Sequence, residues 1–453
     1  MTTDFSKGKV WKNIVGQAVP LTLAQLVQLL YNVVDRIYIG HLPGEGNMAL
    51  TGVGLTFPVI TLIAAFTALF GSGGTPLFSM ARGEKNREKA EKILGTSFFL
   101  LLVSSVILMA LLYLTMKPVL FLFGASETSY YYGALYLRIY LIGTVFSMVS
   151  TGLNGYINAQ GFPGTGMLTT VIGAVLNLAL DPLFIFALHM GVAGAAVATV
   201  ISQGVSMVWV LMFFRSEKAL ERIKREYVVF RREIASKIVG LGAAGFIMQG
   251  TNAAVQIVCN ATLQQYGGDL YVGIMTILNS VREVLSLTVS GIASGAQPVL
   301  GFNYGARKYH RVKQGIRFSV LLGFTYTILA WGVVMLIPRP ILSVFTWDSQ
   351  ILHHGQDALK IYFFGFCFMA FQFGGQSVFQ ALGYAKHAIF FSLLRKVIIV
   401  VPLTILLPAI GFGVNGVFLA EPISNVIGGL ASFITMWYTI YRKLDTKKGL
   451  ENE

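Results

Sequence analysis

Asp181 stands in the run NLALDPLFIF, a carboxyl among apolar residues with no Lys or Arg within tens of positions. Asn177 lies four residues before it and so on the same helical face. Pro182 removes a backbone donor and frees a carbonyl nearby, a local break of the kind that lines ion sites. Asp35 occupies an earlier apolar run, with Tyr31 four residues and Gln28 seven residues before it, again on one face. Asn154 and Asn158 repeat the four-residue spacing, and Thr199 offers a hydroxyl. A charge near the centre of a bilayer costs at least about 2.5–3.5 kcal/mol on insertion scales. A carboxyl kept there can alternate between protonated and ionised forms, or hold Na⁺ beside amide and hydroxyl oxygens. Asp181, Asn177, Asn154 and Thr199 form such an oxygen-rich set.

Simpler roles remain open for several of these residues. Asn154, Asn158 and Gln28 also fit interhelical hydrogen bonds, and Asp35 could pair with the adjacent Arg36. A structural role for Asp181 would need a cation from elsewhere in the fold. Arg282, Glu283, Arg395, Lys396 and Glu421 are further charges inside apolar runs. Neighbours on a helix point in different directions, so Arg282 and Glu283 need separate partners. Together with Glu421 they are assigned structural or gate roles.

Absent motifs narrow the class. No GxxxxGK[ST] supports ATP hydrolysis, no HExxH or Cys/His cluster suggests a metal site, and GIASG at 291–295 lacks the GxSxG spacing. Cys259 and Cys367 lie in apolar runs with no CxxC partner, which suggests neither a disulfide framework nor a metal site.

The elements that must carry these residues are membrane spans. Residues AVILMFWYC make up 55% of the 453, and charged residues only 12%, against about 25% in a soluble chain. Charge-poor runs occupy 14–40, 48–76, 93–116, 134–158, 165–188, 191–214, 238–265, 271–300, 315–337, 359–383, 387–408 and 414–440, which gives twelve spans. The net charge of +14 is placed by position. Basic clusters lie at Lys7/Lys9/Lys12 and follow the second, sixth, eighth and twelfth spans, the last including Lys447 and Lys448. Connections after odd-numbered spans, such as HLPGEGN and QQYGGDL, are poor in Lys and Arg. Both termini are therefore expected in the cytoplasm. The basic N-terminus, lacking a small-residue cleavage site, reads as a retained end. A positive-inside loop, rather than a nucleic-acid site, accounts for the basic segment 215–237.

The chain also reads as two copies of one half. A shift of 222 residues lays Pro76 on Pro298, Gly83 on Gly305 and Gly161 on Gly383, and GVAGAAVATVIS over GVNGVFLAEPIS with six of twelve positions identical. The expected organisation is an N-terminal lobe at 1–214, a basic linker at 215–237, a C-terminal lobe at 238–441 and a tail at 442–453. Six spans per half enter from one side, the parallel-repeat arrangement of transporters. The same shift lays Asp181 on Leu403, Asn177 on Ile399, Thr199 on Glu421 and Asn154 on Gln376, and a slightly different one lays Asp35 on Cys259. The carboxylates of the first and fifth spans thus stand only in the N-terminal half.

YNVVDRIYIG in the first span, NGYINAQG in the fourth and GAVLNLALDPLFIFALHMGVAGAAVAT in the fifth and sixth resemble the MATE (multidrug and toxic compound extrusion) family of the MOP superfamily. The resemblance covers about residues 10–445. It is to the DinF-like branch, in which N-lobe carboxylates carry coupling, and implies an all-α integral membrane fold of two six-helix lobes. It further implies a cation or proton site at Asp35, Asn177, Asp181 and Thr199 with Asn154 nearby. Na⁺ at Asp181, Asn177 and Thr199 is the one metal expected. Gln28 and Tyr31 match cavity positions, and Asn158, Gln256 and Gln376 are added to the expected substrate cavity. The seventh and tenth spans lack the carboxylates of the NorM-like branch. The resemblance thus implies a secondary antiporter of the bacterial inner or plasma membrane, not an enzyme and without a cofactor. It would be monomeric and would export amphipathic or cationic drugs and dyes against H⁺ or Na⁺. The alternatives are a lipid-linked oligosaccharide flippase of the same superfamily, which should gather cationic residues in its cavity, and a polytopic lipid-modifying enzyme.

Overall fold

The computed structural model describes residues 3–40, 42, 46–123, 125–346 and 348–446. Lys447, Lys448 and part of HLPGEGN lie outside these, as does the Arg36 side chain. Nine helical stretches among the described residues are long and apolar enough to cross a membrane, and the bent pair Ser129–Ile142 and Thr144–Ala159 makes a tenth. Two of the nine are too long for one span. Arg232–Gly305 has 74 residues, broken at Gly268 where φ is 69° and ψ is −167°. At about 1.5 Å per residue it would be nearly four times the thickness of a hydrocarbon core of about 30 Å. Ala385–Asp445 has 61 residues and breaks where Gly411 and Gly413 take φ of 109° and 52°. Counting each as two gives twelve spans.

In chain order these are α1 (Val10–Gly40), α2 (Thr51–Gly83), α3 (Arg87–Leu122), α4 (the bent pair), α5 (Pro163–Ala187) and α6 (Gly191–Arg215), then α7 (232–267), α8 (269–305), α9 (Tyr309–Leu336), α10 (Ser349–Ala381), α11 (385–410) and α12 (413–445). Most span limits differ from the hydropathy reading by a few residues, and two differences have a local cause. The fourth span bends by 56° at Gly143, where a Cβ would come within 2.6 Å of Gln203 Oε1 on α6. The tenth begins ten residues early, because Asp348 caps it by accepting from the Gln350 and Ile351 amides and so starts a polar first turn.

The helices form two compact units. One holds Leu23–Phe246; the other holds Asp4–Thr22 and the chain from Ile247, so α1 is divided between them. Within the first, helices approach through glycine, as membrane packing favours. A Cβ on Gly71 would lie 2.6 Å from Gly152 Cα, joining α2 to α4, and one on Gly242 of α7 would overlap the Leu69 carbonyl of α2. The basic linker is not a wholly solvated loop. Gln160 Oε1 accepts from the Leu220 amide at 2.8 Å, Arg82 lies 2.9 Å from Glu221, and Lys224 lies 2.6 Å from Glu91. In the second unit, Arg311 donates to the carbonyls of Phe5, Lys7 and Gly8, which anchors the N-terminal segment.

Candidate functional site

The site begins with the helix break that Pro182 creates. Regular α-helix ends at Pro182 and a wider π-turn follows at Leu183–Ala187, as happens where one backbone donor is missing. Asp181 sits just before this break, fully buried, with Asn177 one turn earlier at 1% exposure. Asn177 Nδ2 donates to Asp181 Oδ1 at 3.2 Å and to Thr199 Oγ1 of α6 at 3.3 Å. The Thr199 hydroxyl in turn donates to the Ala195 carbonyl at 2.9 Å. Two buried acceptors of this cluster, Asp181 Oδ2 and Asn177 Oδ1, have no protein donor.

Asp35 of α1 completes the acidic pair. Its carboxyl lies close enough to Asp181 for the two charges to act on each other. Tyr31 stands in the electrostatic field of both carboxyls. Two side chains that the sequence did not single out close the site from α4. Tyr136 and Tyr140 are buried and stacked at 5.8 Å. Tyr136 lies in the electrostatic field of Asp35 and Tyr31. Their four-residue spacing in YYYGALYLRIY was the available signal, masked by the number of aromatic residues around it.

Other expected residues fall elsewhere. Asn154 donates to the Gly166 carbonyl at 3.1 Å, and a Cβ on Gly166 would meet Asn158 Oδ1 as well. Gly166 lies eleven residues before Asn177, about 16 Å along a helix. Asn154 and Asn158 therefore bracket the start of α5 rather than joining the Asp181 cluster. Gln28 and Gln256 are exposed. Gln376 is buried and donates to Ser392 Oγ at 2.7 Å and to the Ala388 carbonyl at 3.0 Å, tying α10 to α11.

The charges assigned to gate or structural roles divide. Glu283 is exposed. Arg282 instead reaches Glu421, whose Oε1 accepts from Arg282 at 3.1 Å, Arg395 at 3.2 Å and Lys396 at 3.2 Å. Arg395 also donates to Asn425 at 2.7 Å.

The MatE family model matches twice, over residues 20–183 and 245–406, one match in each half of the chain. The multidrug export protein MepA of Staphylococcus saprophyticus is 23% identical over 433 residues, covering 96% of this chain and 95% of its own length. That of Staphylococcus haemolyticus is also 23% identical, covering 98% and 97%. A crystal structure of MATE in the bent conformation superposes with a TM-score of 0.92 at 23% identity, covering the whole of both chains. The chain belongs to the MATE family of membrane transporters, and is not an enzyme.

Proposed function

We propose that the protein is a secondary multidrug antiporter of the bacterial plasma membrane, exporting amphipathic, often cationic compounds in exchange for H⁺ or Na⁺, with both termini in the cytoplasm. The observation that carries this reading is the buried Asp181–Asn177–Thr199 cluster with Asp35 beside it. Two carboxylates close together away from water repel strongly unless a positive charge lies between them. A shared proton meets that need. So does Na⁺, a hard cation suited to oxygen ligands, for which Asp181 Oδ2 and Asn177 Oδ1 are unclaimed acceptors.

Export then results from the cost of an empty pair. With its cation bound, the repulsion between the carboxylates is relieved and α1, α5 and α6 can close around the site. When the cation leaves, repulsion between Asp35 and Asp181 favours a different packing of the same helices, which alternates access for the solute. The relatives named multidrug export proteins support drugs as the exported class. The decisive test uses purified protein in proteoliposomes, a fluorescent organic cation, and Na⁺ and H⁺ gradients imposed separately. The wild type should export with one gradient, which names the ion. Asp181→Asn and Asp35→Asn should lose gradient-driven export while remaining folded; undiminished export by Asp181→Asn would sink the reading.

A further inference from the structure

The second unit holds a buried charge cluster of opposite sign to the first. Arg395 and Lys396 are adjacent in sequence, and on a regular helix one of them would turn away. Here Leu394–Val400 forms a widened π-helical segment, and both side chains are buried. The Arg395 stem packs beside Gly428, where a Cβ would lie 3.4 Å from it. With Arg282 they converge on the single carboxyl of Glu421. Among the described residues, Glu421 is the one carboxylate within salt-bridge distance of these three cations.

Three basic groups face one carboxylate, so positive charge is in excess. Leaving such an excess in an apolar surround costs several kcal/mol per ion, and one cation would suffice to tie down Glu421. Donor capacity is also left over, since Arg395 Nε is buried without a partner. The Arg282 side chain is 28% exposed whereas that of Lys396 is 2% exposed, so the cluster opens to an incoming group at Arg282.

The internal repeat gives this a specific meaning. Glu421 stands at the repeat position of Thr199, and Cys259, within the field of Glu421, Lys396 and Arg282, stands at that of Asp35. Arg395 and Lys396 lie on α11, the counterpart of the α5 that carries Asn177 and Asp181. Corresponding helices of the two halves thus hold two carboxyls in one and an excess of basic groups in the other.

We propose that Arg282, Arg395 and Lys396 form a binding site for the anionic group, a carboxylate or a phosphate, of an amphipathic solute. The term solute rests on the exporter reading, but the site itself rests on the cluster alone. The test therefore reads binding rather than transport, and failure of ion coupling in Asp181→Asn leaves its outcome untouched.

Detergent-purified full-length protein is titrated into rhodamine B, which carries a free carboxylate, and into rhodamine B ethyl ester, which does not, with fluorescence anisotropy as readout. Arg282→Gln leaves Glu421 with two cations and should fold. It should bind the free carboxylate about tenfold more weakly, the loss of a charge-assisted hydrogen bond, and the ester within twofold of wild type. Glu421→Gln removes the competing carboxylate and should bind rhodamine B more tightly. Displacement of the dye by inorganic phosphate would mark a site for free anions as well; a dye that stays bound would mark a need for the apolar body. Equal binding of both dyes by wild type and Arg282→Gln, or equal weakening of both, would overturn the proposal. So would weaker binding of rhodamine B to folded Glu421→Gln.

Discussion

Asn177 spans the gap between Asp181 and Thr199, its one amide nitrogen 3.2 Å from the carboxylate oxygen and 3.3 Å from the hydroxyl. The amide therefore fixes the Asp181 carboxyl against α6. In Asn177→Ala, Asp181 Oδ1 loses its donor in a dry site, a cost of about 1–3 kcal/mol. The expected result is a rise of about tenfold in the concentration of driving ion that gives half-maximal export, with protein yield unchanged. Thr199→Val should have a smaller effect, because it leaves the Asn177–Asp181 bond in place. An unchanged half-saturation in Asn177→Ala would separate this amide from ion binding.

A pH-dependent contact lies at the linker. Glu221 meets Arg82 at 2.9 Å, with both side chains about nine-tenths buried. Burial pushes the Glu221 carboxyl above its usual range, with Arg82 only partly opposing the shift. A carboxyl raised by folding favours the folded state most when protonated, and this stabilisation is lost as pH rises through its folded value. Relative to Glu221→Gln, which cannot titrate, the wild type should therefore gain melting temperature as pH falls from 7 to 5. A constant difference across that range would remove Glu221 as the titrating group.

How much of this was legible in the sequence depends on the kind of signal. Asp181 and Asn177 could be grouped because a lone carboxyl in an apolar run is costly and its turn-mates follow from helical spacing, and Thr199 was added as an oxygen donor on another span. Asn154 met the same criterion, yet it is engaged by the Gly166 carbonyl, a contact set by the turn between α4 and α5. Tyr136 and Tyr140 could not be distinguished from the surrounding tyrosines without knowing which face of α4 lies toward Asp35. The convergence of Arg282, Arg395 and Lys396 on Glu421 was similarly hidden. It depends on a π-helical widening at 394–400 that places neighbours in sequence together in the interior, against the usual divergence of adjacent side chains.

Glycine packing yields a stability prediction inside the first unit. A Cβ on Gly242 would overlap the Leu69 carbonyl, and one on Gly73 the Ile238 carbonyl. Neither obstacle is a flexible side-chain tip, so α2 and α7 would have to separate, at a cost of order 1–3 kcal/mol. Gly242→Ala and Gly73→Ala should lower the melting temperature and the yield of monodisperse protein. Gly164→Ala, with nothing within 4 Å of the added carbon, is the matched control and should leave both unchanged.

Arg311 secures the N-terminal segment through a set of bonds that only a guanidinium can make. Its Nη1 donates to the Gly8 carbonyl at 2.8 Å, and its Nη2 to those of Phe5 and Lys7 at 3.0 and 3.1 Å. Its Nε donates to Asn303 Oδ1 at 2.9 Å, while Asn303 Nδ2 donates to the same Phe5 carbonyl. Lysine has one compact ammonium and cannot reproduce this fork. Both Arg311→Ala and Arg311→Lys should therefore release the segment before α1, and trypsin should cut at Lys7 and Lys9 at least several-fold faster than in the wild type. Cleavage as slow in Arg311→Lys as in the wild type would show that charge alone, rather than the fork, holds the segment.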